Sequence, residues 1–268
     1  MWRSLLYVPA DRAEQFVPRA EATAVDAIIV DLEDGVAPVA KAAARACAAD
    51  VIRSIDRPVV VRVNSGDALD YDIKAIALAN PSAIMLPKAT ALSLDDAERS
   101  LARHRLAVPL IALVESARGL LDLEAMARHR RVSRFALGEA DLRADLGLGT
   151  HADHALWPLR TSVVVASAAH GLEPPIGPVS TDWRDLDDLR RTSTLLRNAG
   201  FGGRSAIHPD QVATLIETFR PSTDDVRVAE RIVALFDAAL AEGRGVAVDD
   251  NGRMIDEAVV RSARHVLS

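Results

Sequence analysis

Three carboxylates, Asp31, Glu33 and Asp34, crowd into four positions where the stretch AIIVDLEDGVAP leaves four hydrophobes in a row. Such charges repel, and burying them unpaired is costly. Other apolar runs end in the same way: Glu115 closes LIALVE, and Glu139 and Asp141 follow RFALG. Arg62 and Asn64 end VVVRVN, and Lys88 ends AIMLPK. Singly, each has an ordinary reading, because a charge after an apolar strand often marks only the return to solvent. Together they suggest a site, with Glu115 and Asp141 facing each other across one mouth and Glu33 and Asp34 alongside. A hard divalent cation would relieve their repulsion. Few protein oxygens, no thiolate and no clear histidine ligand suit Mg²⁺ or Mn²⁺. Arg62 offers a forked donor to an anionic substrate group, and Lys88 a charge to neutralise or position another.

Further candidates have structural readings. Asp31, inside the apolar run, reads as a cap or an ion-pair partner. His208 in IHPDQ precedes Pro209 and a helical pattern, which suits a helix start. His151 and His154 in GTHADHA have the look of a metal pair, but the stretch reads as a loop and ligation is disfavoured. Cys47, in the Ala-rich helical pattern AKAAARACAADVI, reads as a buried small hydrophobe. As the only cysteine of the chain, it excludes an internal disulfide or a Cys-based zinc site.

These residues need a scaffold that brings strand ends together. Eight β-like runs recur at 4–9, 27–32, 59–64, 83–88, 110–115, 134–139, 175–179 and 205–209, most of them continuously apolar, as parallel strands buried on both faces require. Amphipathic segments such as DRAEQFVPRAEAT, DDAERSLARHR and DLDDLRRTSTLLRNAG lie between them, the last with Gly200 at a helix C-cap. Alternating strands and helices over this length predict a (β/α)8 barrel spanning 1–220, whose C-terminal strand ends carry the chemistry. An open doubly wound sheet is the second architecture, but no strand is followed by a GxGxxG turn. Beyond the barrel, 221–268 reads as a long helix (222–243), a two-stranded turn around Asn251-Gly252 and a final helix. This tail has no evident core of its own.

The 268 residues are 49% hydrophobic and 26% charged, as in a soluble globular protein. A net charge of −6 without a basic cluster argues against nucleic acid. No apolar run approaches a membrane span, and MWRSLLYVPADR has no signal-peptide core, so a cytoplasmic location is expected. Of 32 basic residues only Lys41, Lys74 and Lys88 are lysines.

The stretches RSLLYVPA, IIVDLEDGVAP with KAAAR, VVRVN, IMLPKA, LIALVESARG, LGEADLRADLG, AGFGGRSAIHPDQ, FRPS and GRMIDEAVV run through nearly the whole chain. In this order they resemble the citrate lyase β-subunit-like family, among the (β/α)8 aldolases that include malyl-CoA and citramalyl-CoA lyases. The resemblance implies a trimer, or a dimer of trimers, that cleaves a β-hydroxyacyl-CoA into a shorter acyl-CoA and a keto acid. It implies that Glu115 and Asp141 bind Mg²⁺, that Glu33 and Asp34 hold metal-bound water, and that Arg62 binds the keto-acid portion. Asp256 of the terminal MID would then enter a neighbouring subunit's site as the acid–base group. Arg204 stands where the family usually has lysine, with consequences for contacts to the CoA phosphates. An acyl-CoA thioester hydrolase on the same site and a non-catalytic acyl-CoA-binding barrel are the alternatives.

Overall fold

Alternation within the apolar runs dictates the architecture. Along β2 (Ala27–Asp31) every residue is buried, yet successive side chains join different cores. Ile28 and Val30 pack outward against helices, whereas Ala27 and Ile29 point inward with Leu5, Val60, Met85, Ile111 and Leu113. A strand with apolar groups on both faces needs cover on both, and a barrel ringed by helices provides it. The structure, a computed structural model, describes residues 1–149 and 152–267.

The remaining barrel strands are β1 (Ser4–Pro9), β3 (Val59–Arg62), β4 (Ala83–Leu86), β5 (Leu110–Val114), β6 (Val132–Leu137), β7 (Glu173–Gly177) and β8 (Gly203–Ala206). All neighbours pair in parallel, and β8 closes onto β1 with Leu5 opposite Ser205. The open doubly wound sheet is thereby excluded. β6, β7 and β8 begin and end about two residues earlier than the sequence pattern suggested; Pro178, His208 and Pro209 lie in the following loops, not in strands. Pro174 and Pro175 lack amide donors, and the β6–β7 register shifts just before Ile176. Gly200 follows the helix Leu186–Asn198 with a φ of 103°, as a C-terminal stop requires.

The chain divides into two compact units, Met1–Phe219 and Arg220–Ser268. In the second, Ser222 and Asp225 cap the helix Thr223–Ala241 reciprocally. β9 (Ala247–Val248) pairs antiparallel with β10 (Met254–Ile255) around Gly252, and the helix Glu257–Leu267 follows. Contrary to expectation, this unit does have a small core, formed by Phe236, Ala239, Ala247, Ile255 and Val260. Among the described residues no helix is long and apolar enough to cross a membrane.

Candidate active site

The loop after β2 is tied down residue by residue. Asp31 is 2% exposed, and its carboxylate accepts the amides of Glu33 and Gly35. A Cβ on Gly35 would stand 2.5 Å from Asp31 Oδ2, so only glycine fits there. From the first turn of the next helix, Lys41 Nζ donates to the carbonyls of Leu32 and Glu33 and to Asn64 Oδ1, using all three of its donors. Asn64 Nδ2 donates to the Leu32 carbonyl as well. The acids of LEDG are therefore aimed by fixed backbone.

The β2–β3 register sets Asp31 directly beside Arg62. Arg62 Nε and Nη2 grip both oxygens of Asp31 at 2.8 and 2.6 Å. Its Nη1 lies 2.9 Å from Glu33 and 3.8 Å from Asp34, and the guanidinium rests over the Tyr7 ring at 5.0 Å. The forked edge of Arg62 is thus taken by a protein carboxylate, and Nη1 is the nitrogen turned toward Glu33 and Asp34. The two LED acids also part company: Glu33 is buried, while the Asp34 side chain is 63% exposed.

Lys88 follows β4 in a left-handed conformation, φ 50°, which a non-glycine residue adopts only under constraint. That geometry sends its amide to Glu115 Oε1 at 2.7 Å and its ammonium to Glu33 Oε1 at 2.7 Å. Asp141 Oδ2 is 3.8 Å from the same ammonium. Burial opposes the charge on Lys88, but the bond to Glu33 and the surrounding carboxylates hold its pKa above the usual value. Burial raises Glu33 as well, against Lys88 and Arg62. Glu115 is pushed by burial up to about 7, opposed by the Lys88 amide and reinforced by Glu33 and Asp141.

Five carboxylates, Asp31, Glu33, Asp34, Glu115 and Asp141, thus share the mouth with the cations of Arg62 and Lys88. Fully ionised, they leave an excess of three negative charges. Among the described residues no three acids, histidines or cysteines converge closely enough to enclose a metal by themselves. Mg²⁺ typically keeps its waters and takes only one or two protein carboxylates, so it does not need such an enclosure. Glu115 and Asp141 follow adjacent strands and present hard oxygens to the mouth.

The mouth opens into a cavity of about 860 Å³ that runs past Glu115 and Asp141 toward the helices Asp153–Ala169 and Leu186–Asn198. Its far side carries arginines. Arg160 binds Glu139 through two bonds of 2.6 and 2.7 Å and lies over Trp157. Arg204 borders the cavity from β8 but points at the helix Leu186–Asn198. It is 5% exposed and donates to Pro178 O, Thr192 Oγ1 and Ser193 Oγ, all uncharged; burial and the nearby Arg160 bring its pKa down to about 10.

The other candidates have surroundings of their own among the described residues. His208 stacks on Trp183, with ring centroids 4.0 Å apart, and accepts the Asp210 amide just before a helix. His154 is exposed in the first turn of the helix Asp153–Ala169, where a loop was expected. His151 lies outside the described residues. Cys47 is half-buried in the helix Lys41–Ser54. Asp256, in the second unit, accepts the Val259 amide at 3.0 Å and so caps the final helix.

The fold and the mouth together define a (β/α)8 barrel enzyme class with an acidic, metal-compatible site. Residues 3–209 match the HpcH/HpaI aldolase/citrate lyase family, and the chain belongs to that family. A (3S)-malyl-CoA thioesterase of Cereibacter sphaeroides is 33% identical over 273 residues, covering 100% of this chain and 94% of that protein. The mitochondrial citramalyl-CoA lyase of Rattus norvegicus is 31% identical, covering 99% and 85%. Among solved structures, CitE of Mycobacterium tuberculosis in complex with magnesium, acetoacetate and coenzyme A has a TM-score of 0.80 at 30% identity, covering 99% of this chain and 97% of that one.

Two contributors escaped the sequence reading. Tyr7 lines the mouth beneath Arg62; its signal was the alternation from Leu5, which turns position 7 inward. Arg160 pairs with Glu139 across 21 residues, for which no local pattern exists.

Proposed function

We propose that the protein is a Mg²⁺-dependent carbon–carbon lyase that cleaves a β-hydroxyacyl-CoA into a shorter acyl-CoA and a keto acid. The observation that carries this reading is the mouth itself, with two metal-compatible carboxylates beside the Nη1 edge of Arg62, opening into a cavity large enough for an extended thioester. The relatives named for malyl-CoA and citramalyl-CoA chemistry, and the coenzyme A and magnesium of the CitE complex, support it.

Glu115 and Asp141 would hold the metal, which supplies Lewis-acid stabilisation of the charge that develops on the keto acid. Arg62 Nη1 donates to the anionic end of that portion. Glu33, fixed by Arg62 and Lys88, and Asp34, at the solvent edge, orient water in the mouth. The retro-aldol step gives up the β-hydroxyl proton to the water held in the mouth, breaks the C–C bond and leaves a thioester enolate whose α-carbon needs a proton. Asp256 of a second copy is our candidate donor. Its support is that Val39, Leu92 and Leu121 are exposed in segments following β2, β4 and β5, while Val246, Val248 and Met254 are exposed in the second unit. Apolar surface on both sides favours cover by another subunit in a homotrimer or a dimer of trimers.

Arg204, enclosed by uncharged acceptors, is proposed to add positive potential to the cavity wall facing the CoA portion. A second reading, hydrolysis of the thioester on the same site, is favoured by the relative named as a malyl-CoA thioesterase.

Incubation with citramalyl-, malyl- and citryl-CoA in Mg²⁺ tests the proposal. The lyase yields keto acid and a shorter acyl-CoA; hydrolysis yields free CoA with the hydroxyacid intact. EDTA should abolish turnover, and Mg²⁺ or Mn²⁺ should restore it. Full activity in metal-free buffer would overturn the reading.

A further inference from the structure

Among the described residues, Lys88 alone reaches Glu33, Glu115 and Asp141 together. Its ammonium lies 2.7 Å from Glu33 and 3.8 Å from Asp141, and its amide binds Glu115 at 2.7 Å. It differs from Arg62 in freedom: the Arg62 side chain is 12% exposed and locked on Asp31, whereas that of Lys88 is 48% exposed on a flexible stem. Where 32 basic residues include only three lysines, this one supplies a compact, movable point charge in place of a planar fork.

Resting on the metal assignment above, we propose that Lys88 is a built-in cation that competes with the divalent metal for the mouth carboxylates and so sets how tightly the metal is held. A divalent ion held by Glu115 and Asp141 would repel the ammonium, which already lies 3.8 Å from Asp141, with little screening. The ammonium must then swing outward along its stem or weaken the metal by staying. In both cases the metal is bound less tightly than the carboxylates alone would bind it, and it remains exchangeable. The left-handed backbone at Lys88 is the means, because in that conformation the amide meets Glu115 while the ammonium meets Glu33.

Free Mn²⁺ measured by electron paramagnetic resonance, without substrate, gives the affinity directly. Lys88→Gly keeps the amide bond to Glu115 and tolerates the positive φ; Lys88→Met keeps the stem and removes the charge. Both should bind Mn²⁺ about tenfold or more tightly than the wild type, and Glu115→Gln should abolish binding. Glu115-dependent binding that fails to tighten in either variant overturns the role of Lys88 and leaves the metal assignment standing. Wild-type protein that shows no Glu115-dependent binding overturns both.

Discussion

Glu115 fills the place where residue 138 would carry a side chain. A Cβ on Gly138 would stand 2.5 Å from Glu115 Oε2 and 2.8 Å from its Cβ. The glycine of LGEADL is therefore dictated by an acid on the neighbouring strand, not by a turn. Gly138→Ala should displace the carboxylate while the barrel forms. Turnover should fall about a hundredfold, the cost of misplacing a reacting group by roughly an ångström, and Mn²⁺ binding should weaken in step. Circular dichroism checks the fold and metal titration checks the site; unchanged metal affinity would mean that Glu115 is not the ligand.

Arg62→Lys tests the ion pair beneath the mouth. Asp31 receives two bonds from the guanidinium and two from backbone amides. An ammonium cannot reproduce the fork. We expect a loss of about 2 kcal/mol in denaturant unfolding, and about 3–5 kcal/mol for Arg62→Ala, which strands a buried charge. Turnover should be lost in both. An Arg62→Lys variant as stable as the wild type would show that Asp31 is held by its amides alone.

The acidity of Glu115 predicts a pH signature in EDTA. Its folded pKa of about 7 stands above the ordinary 4.5, so the folded chain binds that proton more readily than the unfolded one. The resulting stabilisation is complete below pH 4.5 and disappears as pH rises through 7. A shift of this size corresponds to about 3 kcal/mol. Glu115→Gln, which cannot ionise, should lack this loss and melt above the wild type at pH 8, with a much smaller gain near pH 5. Thermal melts of both proteins across that range decide it, and added Mg²⁺ should raise only the wild type.

Asp256 is a helix cap, and Asn is an equally good cap. Asp256→Asn should therefore leave the unfolding midpoint in place yet cut turnover by roughly a hundred- to ten-thousand-fold, as loss of an acid–base group does. Mixed under subunit exchange with Glu115→Gln, it should recover about a quarter of wild-type activity, since a working site takes its barrel from one variant and its tail from the other. No recovery despite proven exchange would confine Asp256 to its own subunit or to capping.

The barrel was legible because its strands are apolar on both faces, a pattern that few other architectures demand. Strand ends were less so. Val179 and Ile207 continue the apolar runs in sequence, but they lie beyond the last ladder bonds. Glu33, Arg62, Lys88, Glu115 and Asp141 were all found as strand-end charges, yet their partners were not. That Asp31 occupies the fork of Arg62 depends on the β2–β3 stagger, which no single strand encodes. The αL turn at Lys88 was equally hidden, since lysine carries no signal for positive φ. Asp256 shows the converse case: its cap was readable locally, whereas any partner in another chain leaves no trace in local spacing.

At the opposite end of the barrel, Arg134 is 1% exposed and donates to the carbonyls of Trp2 and Pro174, below an interior packed with Leu5, Ile29, Val60, Met85 and Ile111. Among the described residues that end of the barrel is filled by packed side chains, so the mouth serves as the door. In the lyase reading, whichever fragment lies deeper must wait for the fragment nearer the exit. Product departure then follows a queue, and the fragment nearer the door governs the escape of both. Inhibition by the two products should consequently be unequal in form, one competing with substrate for the free enzyme and the other trapping a half-emptied one.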